Sequence, residues 1–361
     1  MRPLADPRLK GERLTPSTRR RVIVSAPNTV EVVTENLPEL QPGEALVSLM
    51  VAGVCGSDLH GMHGTHPAMK PPYYPGHEVV GIVEEVGSDV TGVSVGQMVT
   101  PEPTLPCGHC KMCLTGRSNI CENLEFFGCG FREGGMADVF SIKASRLHLV
   151  PEGFDLRMAA LIEPLSTPVH AVRLAGDISG KTVVIIGCGT IGLLILAVAK
   201  AHGARRIVMT DVLESKRRGA IERGADAVVD SAAADVAALV RSELGESADV
   251  VFDCVSIQPT IASAIDMVQR GGSVVVVGVP SKPVEVPTFL LQDRQIRLQG
   301  AATYLSEDYA EAIAIIAAGG VNAVSMITAT FPLEETADAF AAAARGDQIK
   351  VLLTGAGIQL G

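Results

Sequence analysis

The chain has 361 residues, of which 47% are hydrophobic and 19% are charged, and this length is typical of two domains rather than of one core. Its formal net charge of −10 argues against a nucleic-acid-binding surface, which would be basic. No membrane span is expected, because three glycines interrupt the longest apolar stretch, residues 183–199, and a buried strand, turn and helix explain it better.

Cysteine usage bears on the compartment of the protein. Four of the eight cysteines lie between Cys107 and Cys121, a spacing typical of a metal site rather than of a disulfide framework. No secretory signal pattern is present, so we expect a reducing cytoplasm. Residues 1–20 are polar and basic and are predicted to form a flexible N-terminal tail. A transit peptide is the alternative for this segment, but its acidic residues and weak amphipathicity count against it.

Short apolar runs separated by Gly/Pro turns extend from Arg21 to about Val150 and predict a mostly-β domain. The strands predicted there span residues 22–25, 45–54, 79–86, 98–100 and 137–142. A helix over 156–174 then begins a pattern in which helices alternate with buried strands. Six strands in two sets of three indicate a doubly wound parallel sheet, that is, a Rossmann fold. These strands span residues 182–186, 206–210, 227–229, 250–253, 273–279 and 296–300.

The segments after the sixth strand are predicted to return to the first domain. They comprise helices over 308–318 and 334–344 and strands over 325–330 and 349–354. We therefore predict a catalytic domain of residues 21–165 and 309–361 and a nucleotide-binding domain of residues 166–308.

A glycine-rich turn follows the first strand of the Rossmann pattern. Residues 187–192 read Gly-Cys-Gly-Thr-Ile-Gly and open a helix, so a pyrophosphate can lie at the helix N-terminus. Asp211 ends the next strand, where a carboxylate can accept both ribose hydroxyls of NAD and repels the 2′-phosphate of NADP. An ordinary βα turn is the alternative, and Lys216 is either a ribose neighbour or a solvated lysine. The residues predicted to contact NAD here are Gly187, Gly189, Thr190, Ile191, Gly192, Asp211 and Lys216.

Four thiols form the first of two candidate metal sites. Cys107, Cys110, Cys113 and Cys121 have a C-x2-C-x2-C-x7-C spacing, and thiolates so spaced on a loop can close a tetrahedron around zinc. Such a site has no open coordination position, so we expect it to be structural. Two disulfides are the chemical alternative for these four thiols.

The second candidate metal site lies in residues 53–90. Cys55, His77 and Glu78 offer one thiol, one imidazole and one carboxylate near apolar runs, and zinc prefers such a mixture of S, N and O ligands. With fewer than four protein ligands, a metal site keeps a position open for water or substrate. A buried cysteine and an unrelated surface histidine are the alternative.

These motifs together resemble the zinc-dependent medium-chain alcohol dehydrogenases, most closely the sorbitol/polyol, butanediol and threonine dehydrogenase branch. The resemblance extends from about Arg21 to the C-terminus and rests on Gly-His-Glu-x2-Gly-x5-Gly-x2-Val at residues 76–90 and on the four thiols at 107–121. It implies a GroES-like catalytic domain beside the Rossmann domain, and two zinc ions per chain. It also implies that Cys55 and His77 bind the catalytic zinc.

Further roles follow from the same resemblance. Either Glu78 or Glu163 would be the third ligand of the catalytic zinc, the other acting through the metal-bound water, and the sequence leaves this choice open. Ser57 would bond the substrate oxygen and His60 would pass its proton outward, unless His60 is a plain surface histidine. The residues implied to border the nicotinamide are Thr167, Gly278 and Val279.

The chain departs from the sorbitol dehydrogenases at one position, because Thr303-Tyr304 stands where they carry an Arg-Tyr pair. We therefore expect an NAD-dependent zinc enzyme that oxidises a secondary hydroxyl of a small polyol or vicinal diol to a ketone. A threonine or simple-alcohol dehydrogenase and a non-catalytic NAD-binding sensor are the alternatives. Phe126 and Phe127 either line the mouth of the substrate site or pack in the core. The expected partners are a small alcohol and other copies of the chain, as a homodimer or homotetramer, with no nucleic acid and no membrane.

Overall fold

A computed structural model describes residues 17–67, 69–280 and 282–360. The first part of the chain is built mainly from strands. Its elements are β1 (Thr18–Ala26), β2 (Thr29–Asn36), β3 (Glu44–Val54), α1 (Gly56–Met62), β4 (Glu78–Val86), β5 (Met98–Pro101), β6 (Thr104–Leu105), α2 (Lys111–Leu114), β7 (Glu125–Phe126), β8 (Val139–Lys143), β9 (Leu147–Leu149), α3 (Leu156–Ala160) and α4 (Ile162–Ala175), with short 3-10 turns at Ser118–Ile120 and Ala144–Arg146.

The second part alternates strands with helices. Its elements are β10 (Thr182–Ile186), α5 (Thr190–Ala201), β11 (Arg206–Asp211), α6 (Glu214–Glu222), β12 (Ala227–Asp230), α7 (Val236–Leu244), β13 (Ala248–Asp253), α8 (Gln258–Met267), β14 (Val268–Val276), α9 (Thr288–Arg294) and β15 (Arg297–Gly300). The C-terminal elements are α10 (Ser306–Ala317), α11 (Ala323–Met326), β16 (Ile327–Pro332), a 3-10 turn (Leu333–Glu335), α12 (Thr336–Ala344) and β17 (Lys350–Thr354).

The six strands of the second part form one parallel sheet. Their spatial order is β12-β11-β10-β13-β14-β15, which is the Rossmann order with the reversal between β10 and β13. Strand β10 is wholly buried, as expected for an apolar strand covered by helices on both faces. The predicted doubly wound sheet is confirmed.

The second large sheet joins the two ends of the chain. Its strands run in the order β16-β17-β3-β4-β5-β9, and β8 also pairs with β3. Strand β17 pairs antiparallel with β3, with Val351 opposite Val54. The start of β17 therefore lies beside the end of β3 and the start of β4, and the active-site candidates lie at this end of the sheet.

The boundaries of the two domains stay a prediction. Helix α10, which spans the proposed boundary at residue 308, packs through Tyr309 and Ile316 in the same apolar cluster as α4, α5 and the parallel sheet. That cluster also includes Val51 and Val80 of the other sheet. The two sheets are thus joined by a continuous apolar core.

Several local predictions need correction. The predicted tail lies largely outside the described residues, but its end is wrong because β1 begins at Thr18 and Arg19 is buried against Glu35 and Glu133. Strand β2 was not predicted, although its residues alternate. The helix predicted over 156–174 breaks at Leu161, since Pro164 is suited to the first turn of a new helix. No helix in the described part of the chain is long and apolar enough to cross a membrane.

Candidate active site

Three strand ends bring the first group of chemical side chains together. Cys55 follows β3, His77 and Glu78 stand at the start of β4, and Lys350 begins β17. Gly53 of β3 lies opposite Glu78 of β4. Because the three strands are neighbours in one sheet, residues far apart in the sequence meet where these strands begin or end.

The donor atoms of Cys55, His77 and Glu78 suit a metal ion. One ligand atom from each lies within 4.8 Å of the other two, as expected for ligands that share an ion with bonds of about 2.0–2.3 Å. His77 and Glu78 are buried, whereas Cys55 is half-buried. Zinc therefore fits this donor set by chemistry and by spacing, and one side of the site is accessible.

Glu78 is held by a cation that the sequence did not reveal. Both of its carboxylate oxygens accept from Lys350 Nζ, at 2.7 and 2.6 Å. The Lys350 and Glu78 side chains are only 3% and 2% exposed. Burial lowers the pKa of Lys350, but the Glu78 carboxylate outweighs this effect and raises it overall. Lys350 therefore keeps its positive charge beside the Glu78 carboxylate.

Gly53 leaves the space that Glu78 occupies. A Cβ atom at Gly53 would lie 1.9 Å from Glu78 Oε2, far inside van der Waals contact. Since Lys350 holds the carboxylate from the other side, the side chain of Glu78 has little freedom to move away. Glycine at this position is thus a steric requirement of the metal site.

Glu163 lies near this group but makes a different contact. It stands in the first turn of α4, is 5% exposed, and accepts a hydrogen bond at Oε1 from the Tyr304 hydroxyl. Burial raises its pKa to about 7, with His77 opposing the shift. Glu163 is not in the set of donors that meet around Cys55, so in this geometry Glu78 is the nearer carboxylate.

His77 is enclosed by polar and sulfur atoms. Its Nε2 lies 3.4 Å from Ser57 Oγ, and its Nδ1 lies 3.4 Å from Cys129 Sγ and 3.7 Å from Asp58 Oδ1. Asp58 is fully buried, and burial raises its pKa to about 6. The thiol of Cys129 thus lies against a candidate metal ligand.

Ser57 and His60 both lie on a short helix. Both belong to α1, three residues apart, and so occupy one helix face. Asp58 Oδ2 accepts from the Cys55 amide at 3.0 Å and fixes the start of this helix. Ser57 is half-buried and His60 is exposed. This face therefore leads from the metal site to solvent.

The four thiols of residues 107–121 form a compact cluster. One ligand atom from each residue lies within 4.8 Å of the others, and the sulfurs of Cys110 and Cys113 and of Cys110 and Cys121 are 3.5 and 3.8 Å apart. A zinc tetrathiolate with bonds of about 2.3 Å needs sulfurs about 3.8 Å apart. The cysteines of this cluster are free thiols, so the geometry favours the zinc interpretation over the disulfides.

The protonation of the four thiols also favours a metal site. A backbone hydrogen bond from His109 lowers the pKa of Cys107 to about 6, whereas burial raises that of Cys113 to about 12. Four neighbouring thiolates repel one another, so without a metal ion at least one keeps its proton. Zinc would remove this conflict, because a zinc ion binds cysteines as thiolates.

The glycine-rich turn has the geometry of a dinucleotide loop. Gly187 has a φ of 101°, which favours glycine, and a Cβ at Gly192 would lie 1.9 Å from the Gly187 carbonyl oxygen. Gly189 has open space around its Cα and caps α5, which begins at Thr190. The helix N-terminus is therefore free to receive a phosphate.

Asp211 lies beside this turn. Its Oδ2 accepts from the Cys188 amide and its Oδ1 from the Leu213 amide, both at 2.9 Å. The carboxylate is thereby fixed at the carboxyl end of β11, next to the phosphate turn. Ile191 and Lys216 are half-buried on α5 and α6.

The remaining predicted contacts stand on α4 and after β14. Thr167 is one helical turn after Glu163 on α4, so the two share a helix face. Gly278 packs against the backbone of Cys254, and Val279 is 46% exposed.

The two phenylalanines have different environments. Phe126 is half-buried, with its ring 6.0 Å from that of His77. Phe127 is fully buried against Phe140, so of its two alternatives the structure supports packing in the core.

Sequence reasoning missed four residues near the site: Asp58, Cys129, Tyr304 as the partner of Glu163, and Lys350. Asp58 lies inside the motif region of residues 53–90, so the sequence could have indicated it as a site residue. Lys350 is 272 residues from Glu78, and only the pairing of β17 with β3 brings it to the site. No local pattern could have revealed that contact.

Comparisons with known proteins agree with this architecture. Residues 41–152 match the alcohol dehydrogenase GroES-like domain and residues 190–318 match the zinc-binding dehydrogenase domain. The fold and the two clusters of ligand residues thus define the class of zinc-binding dehydrogenases.

Three individual proteins are similar to this chain over most of their length. D-xylulose reductase A of Aspergillus niger is 33% identical over 88% of this chain and 92% of its own. A protein of Sinorhizobium meliloti 1021 described as a zinc-binding dehydrogenase, solved bound to NADP, has a TM-score of 0.87 and 32% identity over 94% of this chain and 100% of its own. The 2R,3R-butanediol dehydrogenase of Bacillus subtilis has a TM-score of 0.85 and 26% identity over 93% and 99%. The chain belongs to the zinc-dependent medium-chain alcohol dehydrogenase family, as its motifs predicted.

Replacing Gly53 by alanine tests the metal site. We expect Gly53→Ala to displace the Glu78 carboxylate and to lower the zinc content from two ions per chain toward one, with the tetrathiolate retained. Gly56→Ala is the matched control, because a Cβ there meets no atom within 4 Å. Metal analysis after gel filtration measures both variants. Two firmly bound zinc ions in Gly53→Ala would contradict the assignment of Glu78.

Proposed function

We propose that this protein is an NAD-dependent zinc dehydrogenase that oxidises a secondary hydroxyl of a small polyol or vicinal diol to a ketone. The observation that carries the proposal is the convergence of Cys55, His77 and Glu78 donor atoms within 4.8 Å at the ends of neighbouring strands, with Cys55 only half-buried. A purely structural metal site would be closed by a fourth protein ligand.

In this proposal Cys55, His77 and Glu78 hold the catalytic zinc, and the four thiols of residues 107–121 hold the structural zinc. Zinc at the first site supplies a Lewis acid that lowers the pKa of the substrate hydroxyl, and bound NAD supplies the hydride acceptor. The contact between Lys350 and Glu78 supports Glu78 as the third ligand, since it fixes this carboxylate beside Cys55 and His77.

Ser57 and His60 form the proposed route for the substrate proton. Ser57 Oγ lies 3.4 Å from His77 Nε2, so it borders the metal site and can accept the proton of the substrate hydroxyl while it releases its own hydroxyl proton. His60, one turn later and exposed, can pass that proton to solvent. The shared helix face supports this order of transfer.

Glu163 is proposed to orient the substrate or a water molecule from the opposite side. Its buried carboxyl group has a pKa of about 7, so near neutral pH it can both hold and release a proton. The Tyr304 hydroxyl donates to Oε1 and leaves Oε2 available. Glu163 is therefore suited to accept a hydrogen bond from a second hydroxyl of a vicinal diol.

The cofactor is proposed to be NAD, bound by Gly187, Gly189 and Gly192 with its ribose at Asp211. Further contacts are proposed for Thr167, Thr190, Ile191, Lys216, Gly278 and Val279. One similar structure holds NADP, so the choice between the two cofactors depends on this chain's own residues. The fixed Asp211 carboxylate supports NAD, because it would repel a 2′-phosphate.

Asp211→Ser tests the cofactor assignment. We expect the ratio of kcat/KM for NAD to that for NADP to fall by about 10- to 100-fold, since a hydrogen bond to a charged group contributes about 1.5–3 kcal/mol. Asp230→Ser is the control, because Asp230 ends the neighbouring strand and pairs with Arg217. An unmodified enzyme that already prefers NADP would refute the role of Asp211.

The substrate is proposed to be short. Thr303 offers no guanidinium to clamp the far end of a long polyol, and the Phe126 ring near His77 adds an apolar surface. The names of two similar proteins, D-xylulose reductase and butanediol dehydrogenase, support a polyol or diol.

A panel of alcohols tests the substrate class. We expect kcat/KM, measured by NADH formation, to be higher for 2,3-butanediol or xylitol than for sorbitol, threonine or ethanol. A primary alcohol as the best substrate would overturn the polyol assignment but not the zinc-dehydrogenase chemistry. Binding of NAD with no turnover of any alcohol would favour a sensor, and threonine as the best substrate would favour a threonine dehydrogenase.

We also propose a homodimer or homotetramer. Strand β15 is the last strand of the parallel sheet, and its free edge can pair with the same strand of a second copy across a two-fold axis. We expect light scattering at micromolar concentration to give a mass of two or four chains. A monomer under those conditions would contradict the proposal.

The cytoplasm is the proposed compartment. The structural zinc site needs four reduced thiols, which a reducing compartment maintains.

A further inference from the structure

Asn119 connects the tetrathiolate cluster to the rest of the molecule. It lies two residues before Cys121 and is only 6% exposed. Its side-chain Nδ2 donates to the Ala302 carbonyl at 2.9 Å and lies 3.2 Å from His170 Nε2. Its backbone carbonyl oxygen accepts from Thr303 Oγ1 at 3.2 Å. Asn119 therefore holds the Ala302–Thr303 turn from both its side chain and its backbone.

The turn that Asn119 holds is strained. Thr303 has a φ of 48°, a left-handed conformation that a β-branched residue rarely adopts. Such a conformation persists only where the surrounding contacts impose it, and it is common at functional sites. The two hydrogen bonds between Asn119 and residues 302 and 303 are contacts of this kind.

The strained turn sets the position of Tyr304. This residue is 2% exposed and directly follows Thr303, and its hydroxyl donates to Glu163 Oε1. Glu163 and His170 are seven residues apart on α4 and so share a helix face. His170 Nδ1 in turn contacts Asp308 Oδ2 at 2.9 Å. The turn thus lies along one face of α4, between Glu163 and the Asn119–His170 contact.

We propose that Asn119 is a positioning residue, which transmits the rigidity of the structural zinc cluster through the Ala302–Thr303 turn to Tyr304 and thereby fixes the Glu163 carboxylate. The structural zinc then has a role at the active site, although it binds no substrate. The inference rests on the proposed function only for the role of Glu163, because the chain of contacts itself is independent of the reaction.

Alternative explanations for these contacts make different predictions. If Asn119 only stabilised its own loop, its replacement would act independently of Tyr304. If it acts through Tyr304, removing either group breaks the same connection, and the second replacement adds nothing. A double-mutant cycle distinguishes the two cases.

The test uses Asn119→Ala, Tyr304→Phe and the double variant in the full-length, zinc-loaded protein. We expect each single replacement to lower kcat/KM for the best diol by about tenfold, and the double variant to match the singles within about twofold. Asn123→Ala is the control, because Asn123 is exposed on the same loop, two residues after Cys121, and we expect it to leave kcat/KM unchanged. Losses that multiply in the double variant would overturn the proposal.

Tyrosine fluorescence provides a second readout that needs no substrate. The chain has four tyrosines and no tryptophan, and donation to a carboxylate quenches tyrosine emission. We expect Asn119→Ala to raise the emission of the zinc-loaded protein, and to have no such effect when Tyr304 is already phenylalanine. An unchanged emission in Asn119→Ala would refute the inference. If no alcohol is oxidised by any variant, the proposed function fails while this arm still decides the inference.

A conservative variant covers the case in which Asn119→Ala loses the structural zinc or fails to fold. Thr303→Val removes only the hydroxyl that donates to the Asn119 carbonyl oxygen, and it keeps the side-chain volume. We expect the same direction of change in emission and kcat/KM, smaller than for Asn119→Ala, with two zinc ions retained. A Thr303→Val protein identical to the unmodified enzyme in both readouts would contradict the proposal.

Discussion

The buried contact between Glu78 and Lys350 is the interaction on which the candidate active site depends. It joins the start of β4 to the start of β17, and so ties the first third of the chain to its last residues. A buried ion pair adds little net stability, but losing one partner leaves an uncompensated charge at a cost of about 3–5 kcal/mol. The pair therefore acts mainly by orientation. Lys350 holds the carboxylate against Gly53, and any side chain at position 53 would occupy the space of that carboxylate.

The site contains more acidic groups than basic ones, and this imbalance favours the binding of a cation. Asp58, Glu78 and Glu163 lie near Lys350 and His77, and burial raises the pKa of Asp58 to about 6 and that of Glu163 to about 7. In the proposed function, zinc held by Cys55, His77 and Glu78 would add positive charge here. The tetrathiolate cluster follows the same rule, since its thiols cannot all ionise without a cation.

Local motifs predicted the Rossmann sheet, its glycine-rich turn and the ligand residues, because each of these depends on spacing within a short segment. The sequence could not reveal the contacts of Lys350 and Asn119, whose partners lie 272 and 184 residues away along the chain. Helix α1 was missed because seven residues with two glycines give no helical periodicity. The break at Leu161 was signalled by Pro164, and strand β2 by its alternation, so both could have been predicted.

Thermal unfolding of Lys350→Met, with and without zinc in the catalytic site, tests the central role of the Glu78–Lys350 pair most directly. Brief chelation should empty this open site and spare the closed tetrathiolate. The replacement leaves Glu78 buried without a partner in the zinc-free protein, whereas bound zinc supplies one. We therefore predict a large fall in melting temperature for the zinc-free form and a clearly smaller fall for the zinc-loaded form. Equal falls in both forms, or none, would contradict the account.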